Sequence, residues 1–508
     1  MVAKVKTFTF IGTETIDVEV EVKLSAGIVA FNIVGLPDKA VNEAKERIRA
    51  SINSMGLSFP AKRLAINLSP ADLAKEGSYL DLPMALGLLI EMNIIKQEFI
   101  DKYIVIGELS LDGSIKSVNG VLPAAIGASN RNLGIICPKS CAREAIWADE
   151  NINIVAADNI LTLVNYLNGR CDLEKPTLNK KISDKHYPDL SDIYGQRQAK
   201  RALEIAAAGG HNLLMIGPPG AGKSMLAQRI VGILPDLTTK EILEINIINS
   251  IAGKIVNGEL IAERPFLDPH YSCSVPSMVG GGSRPKPGQI SLANNGVLFM
   301  DELPEFPRQV LDALRQPLET GRISIARAAQ DVTYPAKFQL IGAMNPCKCG
   351  HYKDEEKQCK RVPLCAEEYQ NKISGPIIDR FDMFVDVPKV DIFPNKISKS
   401  NIKPENSAVV KKRVEKARLI QAERYEKSEN KVNAYATNDD IKSYMQLDDD
   451  CLEIMKKAYS MYDFSMRSYN KIIKVARTIA DLDSIGKILP KHVAEALMFK
   501  KTEFMKRR

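Results

Sequence analysis

Between Ile16 and Leu24 the sequence reads IDVEVEVKL, with apolar and charged residues alternating at period two. Successive side chains of a strand point to opposite faces, so this alternation predicts a half-buried β-strand, and Thr7–Ile11 predicts a partner for it. From Lys39 to Met55 the period changes: Val41, Ala44, Ile48 and Ile52 recur at the spacing of one helix face. Further short strands are expected at Leu64–Leu68 and Tyr103–Ile106. The apolar stretch Leu82–Ile95, which contains Pro83, Glu91 and Asn93, reads as a buried core helix. Farther along, Asn212–Ile216, Gly296–Met300 and Phe338–Ala343 are continuous apolar runs separated by helical segments. Strands covered on both faces have that character, so these runs predict a parallel sheet. From Asn406 onward Gly and Pro almost vanish while Lys, Glu, Ala and Leu dominate, which predicts helices alone.

These textures divide the chain into three blocks: a mixed α/β block over 1–170, an alternating α/β block over 191–388 and an all-helical block over 406–508. Between them lie two polar linkers, 171–190, Lys-rich and interrupted by Pro176 and Pro188, and 389–405. A length of 508 residues agrees with about three domains at ~100–200 residues each. No internal repeat or low-complexity tract is visible.

Composition narrows the class. Apolar residues make up 45%, enough for ordinary cores. No run reaches the ~18 apolar residues of a membrane span. The start, MVAKVKTFTF, has no apolar signal-peptide core, so a cytoplasmic location is expected. Nine cysteines, an odd number unevenly spread, argue against a secreted disulfide scaffold and for a reducing compartment. The net charge of +7 permits a polyanion partner without requiring one. Its surplus gathers late, at Lys411–Lys412–Arg413 and Lys506–Arg507–Arg508.

The strongest chemical signal is NLLMIGPPGAGKSMLAQRI. An apolar strand runs into Gly217, Pro218, Pro219, Gly220, Ala221, Gly222, Lys223, Ser224 and Met225, and a helix follows. This is a P-loop in the strand–loop–helix setting it requires: glycines let backbone N–H groups turn inward around phosphate, and the helix start adds positive dipole. Lys223 is expected to reach the β- and γ-phosphates of ATP, and Ser224 to ligate Mg²⁺. The apolar run ending in Asp301–Glu302 supplies the complementary half. Asp301 is expected to hold the metal and Glu302 to polarise the attacking water. Asn345 ends a third strand, in the sequence Met344–Asn345–Pro346, where an amide can orient the same water.

Two arginines extend this set by resemblance. Arg380, in GPIIDRFD, resembles the arginine finger of ring ATPases, which acts on a neighbouring subunit's nucleotide. Arg467, in SMRSY at the head of KIIKVARTIADL, resembles the sensor-2 arginine of an AAA+ lid, and Asn345 resembles sensor 1. In order, these elements resemble the magnesium-chelatase branch of AAA+ proteins. HYSCSVPSMVGGGSRPKPGQISLANNGVLFMDE and LDALRQPLETGRISIAR are similar to that branch's helix-2 insert and the segment after it. Over essentially its whole length the chain resembles the YifB/ComM family of magnesium-chelatase-like proteins. The pieces that carry this are FNIVGLPDKAVNEAKERIRAS, IYGQRQAKRALEIAAAGGHNLLMIGPPGAGKS and SMRSYNKIIKVARTIADL. The resemblance implies a homo-oligomeric, hexameric ring and, for the ComM type, a DNA helicase that promotes branch migration during natural transformation.

The first block resembles Lon-type peptidase domains, of the ribosomal S5 domain 2 fold, through KEGSYLDLPMA and IGELSLDG. Aligned on Lys75 and Met84, Tyr79 falls where the nucleophilic serine belongs. Counted on from Gly113, Leu122 falls at the lysine position. Both catalytic groups are missing from the pattern, so no peptidase activity is expected. Ser78 is adjacent and should point elsewhere if its segment is extended. A role in assembly or DNA contact, as in RadA-type proteins, fits better.

Four cysteines, Cys347, Cys349, Cys359 and Cys365, fall close together with His351 among them. Thiolates at this density can close a structural zinc site, although the spacing is not a pair of C-x-x-C knuckles. A set of reduced loop cysteines is the alternative. His270 reads as an ordinary surface residue. In a ring the helix-2 insert is expected to face the pore, where Arg284 and Lys286 could meet a phosphate backbone, a solvated hairpin being the alternative. The functional expectation is therefore an ATP- and Mg²⁺-dependent ring motor acting on DNA. A chelatase-like ATPase remodelling a protein partner is the competing reading.

Overall fold

The first two strands take up the expected alternation. β1 (Ala3–Ile11) and β2 (Glu14–Ser25) pair antiparallel, and Val18, Val20 and Val22 of β2 turn inward. This computed structural model describes residues 2–177, 187–282, 286–325, 331–350, 352, 359, 361, 363–390, 405–426, 431–462 and 464–500. Around that pair a seven-stranded mixed sheet is built. β3 (Ala30–Val34) pairs parallel with β4 (Arg63–Ser69), which pairs antiparallel with β2. On the other side β1 pairs parallel with β5 (Tyr103–Val105), followed by β6 (Gly134–Pro138) and β7 (Ile154–Ala157). The order across the sheet is β3-β4-β2-β1-β5-β6-β7.

Two helices build the main core on this sheet. Helix Lys39–Ser54 starts at Asp38, whose carboxylate accepts the Val41 N–H at 2.7 Å. It buries Val41, Ala44, Ile48 and Ile52, the face the sequence marks. Helix Asp81–Glu91 is buried from Asp81 to Leu89. It stops short of the expected Ile95 because Asn93 takes a left-handed conformation (φ 58°), a common helix stop. Asp81 at its start is fully buried and paired with Arg47, whose Nε donates at 2.6 Å. Burial pushes the Asp81 carboxyl up to about 6, against the opposing pull of Arg47.

The segment before this helix differs from expectation in one respect. Ser78–Leu80 is a 3₁₀ turn, not an extended stretch. The Ser78 hydroxyl therefore meets the Glu108 carboxylate across the short ladder Glu108–Leu109/Ile115–Lys116. Tyr79 packs edge-on against Phe10, and its hydroxyl donates to Thr9 Oγ1 at 3.3 Å. Leu122 is fully buried and offers only its backbone N–H, to Glu144 at 3.0 Å.

The central sheet is all parallel. β8 (Leu213–Ile216), β9 (Phe266–Leu267), β10 (Val297–Met300), β11 (Gln339–Met344) and β12 (Met383–Asp386) lie in the order β9-β10-β11-β8-β12. The residues of β8, β10 and β11 are all buried, which accounts for their uninterrupted apolar sequence. Helix Arg197–Gly209 covers one face. The C-terminal helices Ser407–Arg424, Met466–Leu482 and Pro490–Met498 share its hydrophobic core. Their polar contacts gather where β8 and β12 begin. His211 Nε2 and Thr478 Oγ1 lie 2.8 Å apart, Arg418 donates to Ala207 O, and Phe384 N–H reaches Phe499 O at 2.8 Å. In the linker before β8, Asp189 accepts from the Ser407 N–H, joining the chain entering this region to the helix that follows it.

Candidate nucleotide-binding site

The C-terminal edge of the parallel sheet gathers the chemistry. Gly217 follows β8, Asp301–Glu302 follow β10, and Asn345 follows β11. In an open parallel sheet, the crevice where neighbouring strands lead in opposite directions is the usual ligand position, and β8 lies at such a point between β11 and β12. Two glycines shape the loop for different reasons. A Cβ on Gly217 would stand 2.1 Å from Val387 O, so only glycine allows that strand to pass. Gly222 has open space around it but φ of +87°, which favours glycine on conformational grounds.

Lys223 is 8% exposed. Its ammonium donates to Gly217 O at 2.8 Å, Pro218 O at 3.0 Å and Asn345 Oδ1 at 3.0 Å. Burial lowers its pKa, while Asp301 and Glu302 act to raise it. Ser224 Oγ donates to Asp301 Oδ2 at 2.6 Å. Hydroxyl and carboxylate oxygens brought together in this way are the hard donors that suit Mg²⁺. Glu302 is exposed beside them and strained, with φ 50° and ψ 44° in the left-handed region that a side chain with a Cβ disfavours. Its backbone N–H donates to Asp301 Oδ1 at 2.9 Å, which helps hold that conformation.

Three neighbours escape motif reading. Gln196 has φ of 51° and donates to Ala221 O at 3.2 Å and Pro388 O at 2.6 Å, tying the loop to the chain after β12. Gln196 lies in the quoted segment IYGQRQAK, but nothing in its spacing announces this contact. Asp268 follows β9, and burial together with the charge of Asp301 raises its pKa. Glu319 lies at the far edge of the sheet, beside Arg380.

Arg380 and Arg467 do not join Lys223. β8 and β12 run parallel, with Leu213 opposite Met383 and Ile216 opposite Asp386. Gly217 leaves from one end of that ladder and Arg380 precedes the other. A strand of this length separates the two edges by about 13 Å at ~3.3 Å per residue. Arg380 donates through Nη2 to Glu319 Oε1, and Arg467 Nη2 lies 3.7 Å from the same oxygen. Arg467 is there because its helix packs at this edge: Lys471, one turn on, donates to Asp379 O and to Phe381 O at 2.7 Å. Asp382 completes the joint, accepting the Asn212 N–H at 3.0 Å.

The Sγ atoms of Cys347, Cys349, Cys359 and Cys365 all lie within 4.8 Å of one another. Tetrahedral zinc with Zn–S of ~2.3 Å needs sulfurs about 3.8 Å apart, so the four thiols fit that ion. The cluster begins two residues after Asn345 and abuts the P-loop: a Cβ on Gly350 would stand 2.5 Å from Pro219 Cδ. His351 and Arg284 lie outside the described residues. Lys286 is exposed, in a two-residue ladder that pairs it with Gly281. His270 Nδ1 engages Ser272 Oγ at 2.7 Å within its own turn. Among the described residues no helix is long and apolar enough to cross a membrane.

Comparison with known proteins places the chain beside magnesium-chelatase-like proteins. The family model described as magnesium chelatase, subunit ChlI matches residues 189–393. Its C-terminal counterpart matches residues 404–500. A model described as subunit ChlI of Mg-chelatase matches residues 20–141. The competence protein ComM of Haemophilus influenzae is 43% identical over 488 residues, 95% of this chain and 94% of its own length. YifB of Escherichia coli is 42% identical over 500 residues, 98% of this chain and 96% of its own length. The magnesium-chelatase subunit ChlI of Olisthodiscus luteus is 26% identical over 185 residues, 34% of this chain and 54% of its own length.

Proposed function

The chain belongs to the YifB/ComM family of magnesium-chelatase-like AAA+ ATPases, and on that premise we propose that it is the subunit of a cytoplasmic, hexameric ring that hydrolyses ATP to move along branched DNA. One observation carries the ring reading: the Lys223–Asn345 and Ser224–Asp301 contacts stand at one edge of the central sheet, and Arg380 with Arg467 at the other. A subunit that cannot bring its own arginines to its own nucleotide needs a neighbour to supply them.

In this reading the loop Gly217–Met225 wraps the phosphates and Lys223 exchanges its carbonyl acceptors for phosphate oxygens. Ser224 and Asp301 would hold Mg²⁺, which would supply charge neutralisation at the phosphates. Glu302 polarises the attacking water and Asn345 orients it. Arg380, joined by Arg467, stabilises charge developing on the adjoining subunit's nucleotide. Cys347, Cys349, Cys359 and Cys365 hold a structural zinc. Arg284 and Lys286 meet the DNA backbone. The DNA substrate itself is supported by the full-length likeness to a competence protein.

A second reading, an ATPase that remodels a protein partner as chelatase motors do, is favoured by one finding. The model matching residues 20–141 also carries the chelatase description, so the N-terminal sheet does not by itself separate the two. ATPase turnover measured alone, with single-stranded DNA and with forked DNA, and strand displacement on the same forks, tests between them. Stimulation with displacement is expected. Neither, with basal turnover intact, would move the assignment to protein remodelling.

A further inference from the structure

Arg380 is not poised to reach a neighbour. Its side chain is 10% exposed, and its Nε is buried without a hydrogen-bond partner. Its Nη2 donates to Glu319 Oε1, the same oxygen that lies 3.7 Å from Arg467 Nη2. Glu319 is 51% exposed and sits near the end of the helix Arg315–Thr320. Arg315 anchors that helix, with Nη2 at 2.8 Å from Asp312 and donating to Ser374 Oγ at 3.2 Å. A single carboxylate on a fixed support therefore faces two guanidiniums from separate elements.

That balance is incomplete. One negative charge serves two positive ones, and burial together with the charge of Arg467 disfavours the protonated form of Arg380. A terminal phosphate carries more charge and accepts more hydrogen bonds than one carboxylate, so it competes well for both arginines. The Glu319 end of the pair is 51% exposed and reachable by solvent, which limits what the pair contributes and leaves the carboxylate exchangeable.

We propose that Glu319 is a latch: it holds Arg380 and Arg467 back in the free subunit and yields them to the terminal phosphate of the nucleotide bound on a neighbouring subunit. This rests on the reading that Arg380 acts in trans. It makes Glu319 a positioning residue that sets how readily subunits engage.

Full-length Glu319→Gln, Glu319→Ala, Arg380→Ala and the Arg380→Ala/Glu319→Ala double variant test it. Turnover per subunit is followed against protein concentration, and assembly with a slowly hydrolysed ATP analogue by sedimentation. Removing the latch should lower the subunit concentration for half-maximal turnover and assembly about two- to five-fold, the factor such a pair is worth. In the Arg380→Ala background the Glu319→Ala change should shift assembly much less. Glu319→Ala covers the case in which the glutamine oxygen still accepts from Arg380. An unchanged or raised midpoint in both Glu319 variants, with Arg380→Ala inactive, overturns the latch alone. A full shift that persists in the double variant also overturns it. Wild-type turnover by Arg380→Ala removes the trans reading, and the latch with it.

Discussion

Lys223 and Asn345, 122 positions apart in the chain, meet in one hydrogen bond, the ammonium Nζ donating to the amide Oδ1 at 3.0 Å. The contact links the loop after β8 to the tip of β11, whose register with β8 sets Met344 opposite Ile216. Lys223 has two carbonyl partners besides. Asn345→Ala should therefore leave nucleotide affinity within a few-fold and lower turnover on the order of a hundredfold, as loss of a preorganised polar group does. Lys223→Ala should weaken binding itself. Titration with a fluorescent nucleotide, set beside steady-state turnover, separates the two effects.

Glu302 joins strain to chemistry. Its left-handed backbone, φ 50°, costs an L-residue about 1–2 kcal/mol. Glu302→Gly should raise thermal stability while abolishing turnover, and Glu302→Gln should abolish turnover with no gain in stability. Melting curves and ATPase rates on the pair check this. Equal melting temperatures for the two would dissociate the strain from this position.

The four-cysteine cluster should carry about one zinc per chain, bound as a closed tetrathiolate site. Cys349→Ser should lose the metal. Because Gly350 abuts Pro219, the loss should also loosen the P-loop and raise the KM for ATP. Elemental analysis of protein purified without chelator, repeated on the variant, decides it. Metal-free protein with normal turnover would count against the site.

Asp382 should set acid stability at the joint between the central sheet and the C-terminal helices. Burial pushes its carboxyl up, but the His211 contact, the Lys471 charge and the Asn212 N–H outweigh it and bring it down to about 2. A depressed carboxylate contributes stability that is present above the unfolded value, near 4, and lost as pH falls toward 2. Asp382→Asn should remove on the order of 2 kcal/mol at neutral pH and flatten the acid limb between about pH 4 and 2. Urea melts across that range measure it. An unchanged acid limb would assign the acid sensitivity to other carboxylates.

Much of this protein was legible before folding. The period-two stretch Ile16–Leu24, the helical spacing of Val41, Ala44, Ile48 and Ile52, and the apolar runs before Gly217, Asp301 and Asn345 are local patterns, and burial of one face or two enforces them directly. Gly217–Ser224 stood out as a candidate phosphate loop because phosphate binding demands a fixed residue order within one turn of chain. Local reading failed where conformation departs from propensity. Asn93 ends a helix that hydrophobicity would carry on, and Ser78 lies in a 3₁₀ turn, so the extended segment on which its direction was conditional is not there.

The amino-acid order by itself determined which groups the proposed nucleotide chemistry has to draw on. Only the tertiary structure decided which of them stand together. Register between parallel strands brings Lys223 to Asn345 and Ser224 to Asp301. Packing of the helix Met466–Leu482 against Asp379–Asp382 carries Arg467 to Arg380, and one turn of another helix brings Glu319 between them. The physical reason is that these are contacts between elements far apart in the chain, fixed by sheet register and core packing, and no local periodicity encodes them.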